Sequence, residues 1–152
     1  MADPAVTLAD EAATLALGRR IARQARIGDV IALEGGLGVG KTTLTRGLLT
    51  ELGLEGEAPS PSFALVQPYD VPEVRLPVAH VDLYRLDDAA EARELALDDY
   101  LQDSLLVIEW PDRLGDALWS HALRLRLEAT ADGGRRLTAQ VPEAWKDRWP
   151  QI

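Results

Sequence analysis

The chain has 152 residues, 47% of them hydrophobic, which suits one domain with a core of useful volume and leaves no room for a second catalytic domain. A net charge of −9 argues against a free-standing nucleic-acid binder, whose footprint is a basic face, and the absence of cysteine rules out disulfides and thiolate metal sites. Of sixteen basic residues only Lys41 and Lys146 are lysine, so the chain defaults to arginine and Lys41 is a specific choice of a compact ammonium over a planar guanidinium.

The opening "MADPAVTLADEAATLALGRR" mixes acids with apolar residues and lacks the basic and apolar regions of a signal peptide. No run approaches the roughly 20 apolar residues of a membrane span. A soluble cytoplasmic protein without membrane contact is expected. Thr7, with Asp10 as capping-box partner, is predicted to start a helix that carries Leu8, Ala12, Leu15, Ile21 and Ala22 on an apolar stripe as far as Arg26. "DVIALEGG" predicts a buried strand, Val30 to Leu33, that stops at two glycines.

Gly35-x-x-x-x-Gly40-Lys41-Thr42 then fits the phosphate-loop pattern without a mismatch, and a helix from Lys41 to about Leu52 supplies the context that pattern needs. Glycines at 35, 36, 38 and 40 let successive N–H groups close on phosphate oxygens, and the helix start turns its positive end toward the same anion. Lys41 is placed to reach the β/γ-phosphates and the Thr42 hydroxyl to take a Mg²⁺ position.

Further along, "FALVQPY" and "PVAHVDLYRL" predict strands, "DDAAEARELALDDYLQD" an acidic helix, and "SLLVIEW" a buried strand. "LRLRLEA" and "RRLTAQV", around Gly133-Gly134, predict a hairpin. Together these predict one domain over residues 1–152: an α/β three-layer sandwich of the P-loop NTPase kind, with a mixed, partly parallel sheet and a C-terminal β-hairpin. Two strands end in a carboxylate, Asp82 and Glu109, and either suits a metal or water-positioning role beside the loop. Arg46, Arg85, Arg93 and Arg113 are candidates for transition-state charge. His80 is expected to be a strand histidine satisfied by backbone, His121 a surface residue, and Trp145 and Trp149 one face of a C-terminal helix packed on the sheet. The acids of Asp87–Asp103 are expected on a solvated face, with a docking surface as the functional alternative.

No N-K-x-D stretch reads guanine and no L-S-G-G-Q run marks a transporter ATPase. What remains is an ATPase, a small-molecule kinase or a nucleotide-dependent binding module. "GGLGVGKTTLTRGLL", "SPSFALVQPY", "HVDLYRL" and "VIEW", in this order, resemble the TsaE (YjeE) family, the ATPase subunit of bacterial tRNA threonylcarbamoyladenosine biosynthesis. The resemblance implies ATP held by Glu11, Gly36, Gly38, Val39, Gly40, Lys41, Thr42, Thr43, Ser62 and Trp110, and Mg²⁺ held by Thr42 and Glu109. It implies hydrolysis that depends on Lys41, Asp82 and Glu109, a switch at Ser60-Pro61-Ser62-Phe63, and an adenine side formed with Asp10, Glu11 and Thr14. It also implies TsaB and TsaD as partners, the second modifying the adenosine beside the anticodon, with tRNA met only through that complex. Three positions depart from the family pattern: Gly36 for an aspartate, Ser62 for threonine and Val81 for phenylalanine.

Overall fold

The computed structural model describes residues 4–36, 38–56, 66–86, 89–93 and 95–149. Its strands are β1 (Ala5–Leu8), β2 (Val30–Glu34), β3 (Val66–Tyr69), β4 (Val78–Asp82), β5 (Leu105–Glu109), β6 (Leu123–Ala129) and β7 (Arg135–Gln140). They form one sheet in the order β1-β7-β6-β2-β5-β4-β3. The inner pairs β6-β2, β2-β5 and β5-β4 are parallel, and the outer pairs are antiparallel. The apolar runs of β2, β4 and β5 are buried on both faces, as expected of central parallel strands.

Alternate residues of those strands feed two cores. Ile31, Leu33, Val78, Leu105 and Val107 pack with helices α1 (Glu11–Gln24) and α2 (Lys41–Glu51). Val30, Ala79, Val81, Leu106 and Ile108 pack on the other face with two short helices, α3 (Ala89–Arg93) and α4 (Leu97–Tyr100), and with a 3₁₀ segment, Pro111–Ala117. The three-layer sandwich with a mixed sheet and a C-terminal hairpin is therefore observed, and the hairpin is built into the main sheet through β6.

Glycines set the spacing of α1 and α2. A Cβ at Gly18 would lie 2.2 Å from the Leu44 carbonyl oxygen, and one at Gly47 would lie 2.2 Å from that of Leu15. Backbone meets backbone, with no flexible side chain to yield. Gly47→Ala should therefore destabilise the protein by about 3 kcal/mol, outweighing the roughly 1 kcal/mol that alanine gains as a helix former. Thermal unfolding should show a midpoint lower by roughly 6–12 °C; an unchanged midpoint would mean the helices separate at no cost.

Three expectations need correcting. Thr7 does not start a helix: Ala5–Leu8 is an edge strand paired antiparallel with β7, and the cap is Asp10, whose Oδ1 accepts from the Ala13 N–H at 2.9 Å. The acidic stretch is not one helix, because Ala96 is left-handed (φ 50°, ψ 47°) between α3 and α4. Ala92 and Leu97 both enter the second core, whereas a continuous helix would turn them about 140° apart. Of "FALVQPY", only Val66–Tyr69 lies in a described strand; residues 63–65 lie outside the described residues.

The C-terminal helix expected around Trp145 and Trp149 is reduced to a 3₁₀ turn, Glu143–Trp145, but both rings do pack against the first core. Arg148 locks this segment by a buried bidentate pair with Asp29 (2.6 and 2.9 Å) and lies over the Trp145 ring.

Candidate functional site

The carboxyl ends of β2, β4 and β5, the β6–β7 turn and the start of α1 meet at one edge of the sheet. This is where open α/β sheets place ligands. A cavity of about 530 Å³ opens there, lined by Asp10, Glu11 and Thr14 of the α1 start, Gly38, Gly40, Lys41, Thr42 and Thr43 of the loop and α2, Asp82 at the end of β4 with Tyr84 and Arg85 after it, Glu109 at the end of β5 with Trp110 after it, and Gly133, Gly134 and Arg135 of the hairpin.

The loop leaves β2 through Gly35, at φ 142°, where a Cβ would lie 2.6 Å from the Leu127 carbonyl oxygen and 2.8 Å from Val39 Cγ1. It enters α2 through Gly40, left-handed at φ 112° and without a side-chain cap. With no cap, the amides at the start of α2 keep an opening for an anion. A Cβ on Gly36 or Gly38 would meet nothing within 4 Å, so the loop's outer side faces open space.

Lys41 is 5% exposed, its Nζ donating to the Gly35 carbonyl oxygen at 2.8 Å and lying 3.7 Å from the centroid of the Trp110 ring. Burial holds the ammonium below the usual lysine range, against the opposing pull of the Glu109, Asp82 and Asp112 carboxylates. Among the described residues the ammonium's hydrogen-bond partner is a loop carbonyl, an environment that would suit an anion.

Trp110 lines the cavity from a left-handed conformation (φ 61°, ψ 50°), uncommon for a bulky residue and concentrated at functional sites. Its ring contacts Tyr84, with centroids 4.9 Å apart. Directly opposite each other in register, Asp82 and Glu109 end their strands side by side. Asp82 Oδ1 accepts from the Tyr84 N–H at 2.9 Å. Glu109, 5% exposed, is held through Oε2 by His80 Nε2 at 2.8 Å, so this buried histidine pairs with a carboxylate and not, as expected, with backbone.

Most residues named from the sequence converge on the cavity. Two do not: Gly36 is exposed outside the cavity lining, and Val39 is also outside it with its side chain in the first core. Ser62 and the expected switch at 60–63 lie outside the described residues. Among the arginine candidates, Arg85 lines the cavity, Arg46 pairs with Glu11 at 3.9 Å, and Arg113 donates to the Tyr84 carbonyl oxygen at 3.3 Å. His121 is half-buried against the Gly28 carbonyl oxygen at 2.9 Å, which corrects its reading as a plain surface residue.

Arg135 is the residue that sequence reasoning missed. Its Nε donates to the Val39 carbonyl oxygen at 2.9 Å and its Nη2 to that of Gly38 at 3.4 Å, tying the hairpin to the loop. Its one local signal is an arginine directly after a Gly-Gly turn. Among the described residues no three metal-ligating side chains cluster. Thr42, Asp82 and Glu109 line the same cavity, donors that would suit Mg²⁺, which takes one or two carboxylates and completes its shell with phosphate and water.

A glycine loop between a central parallel strand and a helix, with carboxylates ending the neighbouring strands, defines a protein of the P-loop NTPase-like fold class. The family model described as "Threonylcarbamoyl adenosine biosynthesis protein TsaE" matches residues 8–137. Proteins named tRNA threonylcarbamoyladenosine biosynthesis protein TsaE are similar along most of their length. That of Streptomyces coelicolor is 42% identical over 135 residues, covering 85% of this chain and 91% of that one. That of Bacillus subtilis is 34% identical over 126 residues, covering 82% and 77%. The crystal structure of YdiB from Bacillus subtilis superposes with a TM-score of 0.75 at 28% identity, covering 91% of this chain and 86% of that one. The chain belongs to the TsaE family.

Proposed function

We propose that this chain binds ATP with Mg²⁺ on the β2–α2 loop and hydrolyses it as an accessory subunit in cytoplasmic tRNA threonylcarbamoyladenosine formation, with TsaB and TsaD as partners. The observation that carries the nucleotide half is Lys41, a buried ammonium at the start of α2 with Glu109 and Asp82 beside it. The pathway half rests on membership of the TsaE family.

In this reading the loop amides and Lys41 take the phosphates, and Thr42 and Glu109 hold the metal. Mg²⁺ supplies neutralisation of the charge that builds on the phosphate oxygens. Asp82 orients the attacking water, and Trp110 shields Lys41 from solvent so that its charge acts at low dielectric. Arg135 holds the Gly38 and Val39 carbonyls back, which leaves the loop's N–H groups to the ligand. The α1 start, with Asp10, Glu11 and Thr14 lining the same cavity, takes the nucleoside end.

Partner dependence follows from two features. At −9 the chain is repelled by a polyanion, so alone it should show no tRNA binding at physiological salt. Among the described residues Arg46 is paired with Glu11 and Arg113 with Tyr84, and Arg85, which lines the cavity, is engaged as well, so none of the three stands ready as a finger at the γ-phosphate, and turnover by the isolated chain should be slow. Gel shifts and ATPase assays with and without TsaB and TsaD check both halves, with binding and turnover expected to rise only in the complex. Full-speed turnover indifferent to partners, with phosphate passed to a small acceptor in proportion to ATP consumed, would establish the kinase reading instead.

A further inference from the structure

Residues 78, 80 and 82 of β4 share a sheet face with 105, 107 and 109 of β5, the face packed against α1 and α2. His80 is opposite Val107 and Asp82 opposite Glu109, so His80 is the diagonal neighbour of Glu109. The contact is direct, Nε2 to Oε2 at 2.8 Å, and both residues are buried. A carboxylate oxygen accepts, so in this contact the ring N–H of His80 at Nε2 is the donor. Nδ1 is buried with no hydrogen-bond partner among the described residues. A side chain that merely filled this space would be apolar, since leaving a polar ring atom unpaired in a core costs stability.

We infer that His80 is a positioning residue: its Nε2–H fixes the Glu109 carboxylate through Oε2, leaving Oε1 as the oxygen offered to the divalent cation. The inference rests on the Mg²⁺–nucleotide reading above and adds the device that orients its carboxylate. Without that bond the carboxylate turns about its terminal torsion and is free to present both oxygens. Mg²⁺ demands near-ideal octahedral angles and tolerates this poorly. Partners of this kind, one bond removed from a metal ligand, typically govern metal affinity by about 10–100-fold.

The test compares wild type with His80→Leu, His80→Gln and His80→Asn, reading ADP affinity across a Mg²⁺ series, Mn²⁺ binding to the ADP-loaded protein by paramagnetic resonance, and thermal unfolding. Metal-free ADP affinity should not change in any variant. His80→Leu should raise the Mg²⁺ concentration at half effect by about 10–100-fold. His80→Gln, whose amide N–H reaches the place of Nε2, should recover most of this; His80→Asn, which reaches only as far as Nδ1, should not. If His80→Leu does not fold, the Gln and Asn pair carries the comparison by itself.

A Mg²⁺ response in His80→Leu like that of wild type, or equal responses in the Gln and Asn variants, would overturn the positioning role while leaving the nucleotide reading in place. A wild-type chain that binds ADP with no response to Mg²⁺ would overturn the positioning role and, with it, the Mg²⁺ part of that reading.

Discussion

Lys41→Ala should lower ATP turnover by a factor on the order of 10²–10³ and weaken ATP binding, read by steady-state hydrolysis and direct nucleotide titration. Its ammonium is the buried cation of the loop, and without a ligand it rests on the Gly35 carbonyl oxygen beneath the Trp110 ring. Arginine is no substitute, because a planar guanidinium does not fit a loop shaped around a point charge; Lys41→Arg should fail nearly as badly. The loss is not a folding defect. Burial lowers the Lys41 pKa, so the fold disfavours the charged form. That penalty acts in full at pH values below the folded-state value and is relieved as pH climbs past it toward the ordinary lysine range. Lys41→Met, which keeps the stem and removes the charge, should therefore unfold no earlier than wild type in the absence of nucleotide while losing turnover to the same degree. Unchanged hydrolysis in either the Ala or the Met variant would remove the phosphate-loop assignment.

The site is legible in the sequence where its chemistry is local. Gly35 to Thr42 lie within one turn and one helix start, so their spacing alone specifies the cradle. The strands β2, β4 and β5 are visible because a central parallel strand is an apolar run, and the carboxylate that ends β4 and β5 falls where the chain leaves the core. What escapes is whatever the register decides. His80 and Glu109 are 29 positions apart and meet because β4 and β5 pair with Asp82 opposite Glu109. Arg135 reaches the Val39 carbonyl across 96 positions, through the pairing of β7 with β6 and of β6 with β2. Local propensity fails at the N-terminus for the same reason. "AVTL" before an Asp cap is as plausible a helix entry as a strand, and its pairing with β7 at the far end of the chain decides the matter.

Glu109 and Asp82 stand side by side at the same edge, yet their surroundings separate them, and their variants should behave differently. Glu109 is buried and tethered by His80, the setting of a carboxylate kept in one orientation for a metal. Asp82 is half-exposed, with Oδ1 engaged by the Tyr84 N–H, the setting of a group that meets water. Glu109→Gln keeps an oxygen that accepts from His80 Nε2 and removes only the charge. It should raise the Mg²⁺ concentration required for hydrolysis by about 10²-fold with little change in thermal midpoint, since a direct ligand should matter at least as much as its partner. Glu109→Ala should show the same metal effect and in addition leave the His80 N–H buried without an acceptor. That loss costs about 1–3 kcal/mol, a midpoint lower by roughly 2–12 °C. Asp82→Ala should lower the rate by about 10²–10⁴ at saturating Mg²⁺ with nucleotide affinity and metal requirement close to wild type, the pattern of a lost transition-state contact. Metal titrations that superimpose for the Glu109 and Asp82 variants would show that the two carboxylates share one role, and the division between metal holder and water positioner would then have to be abandoned.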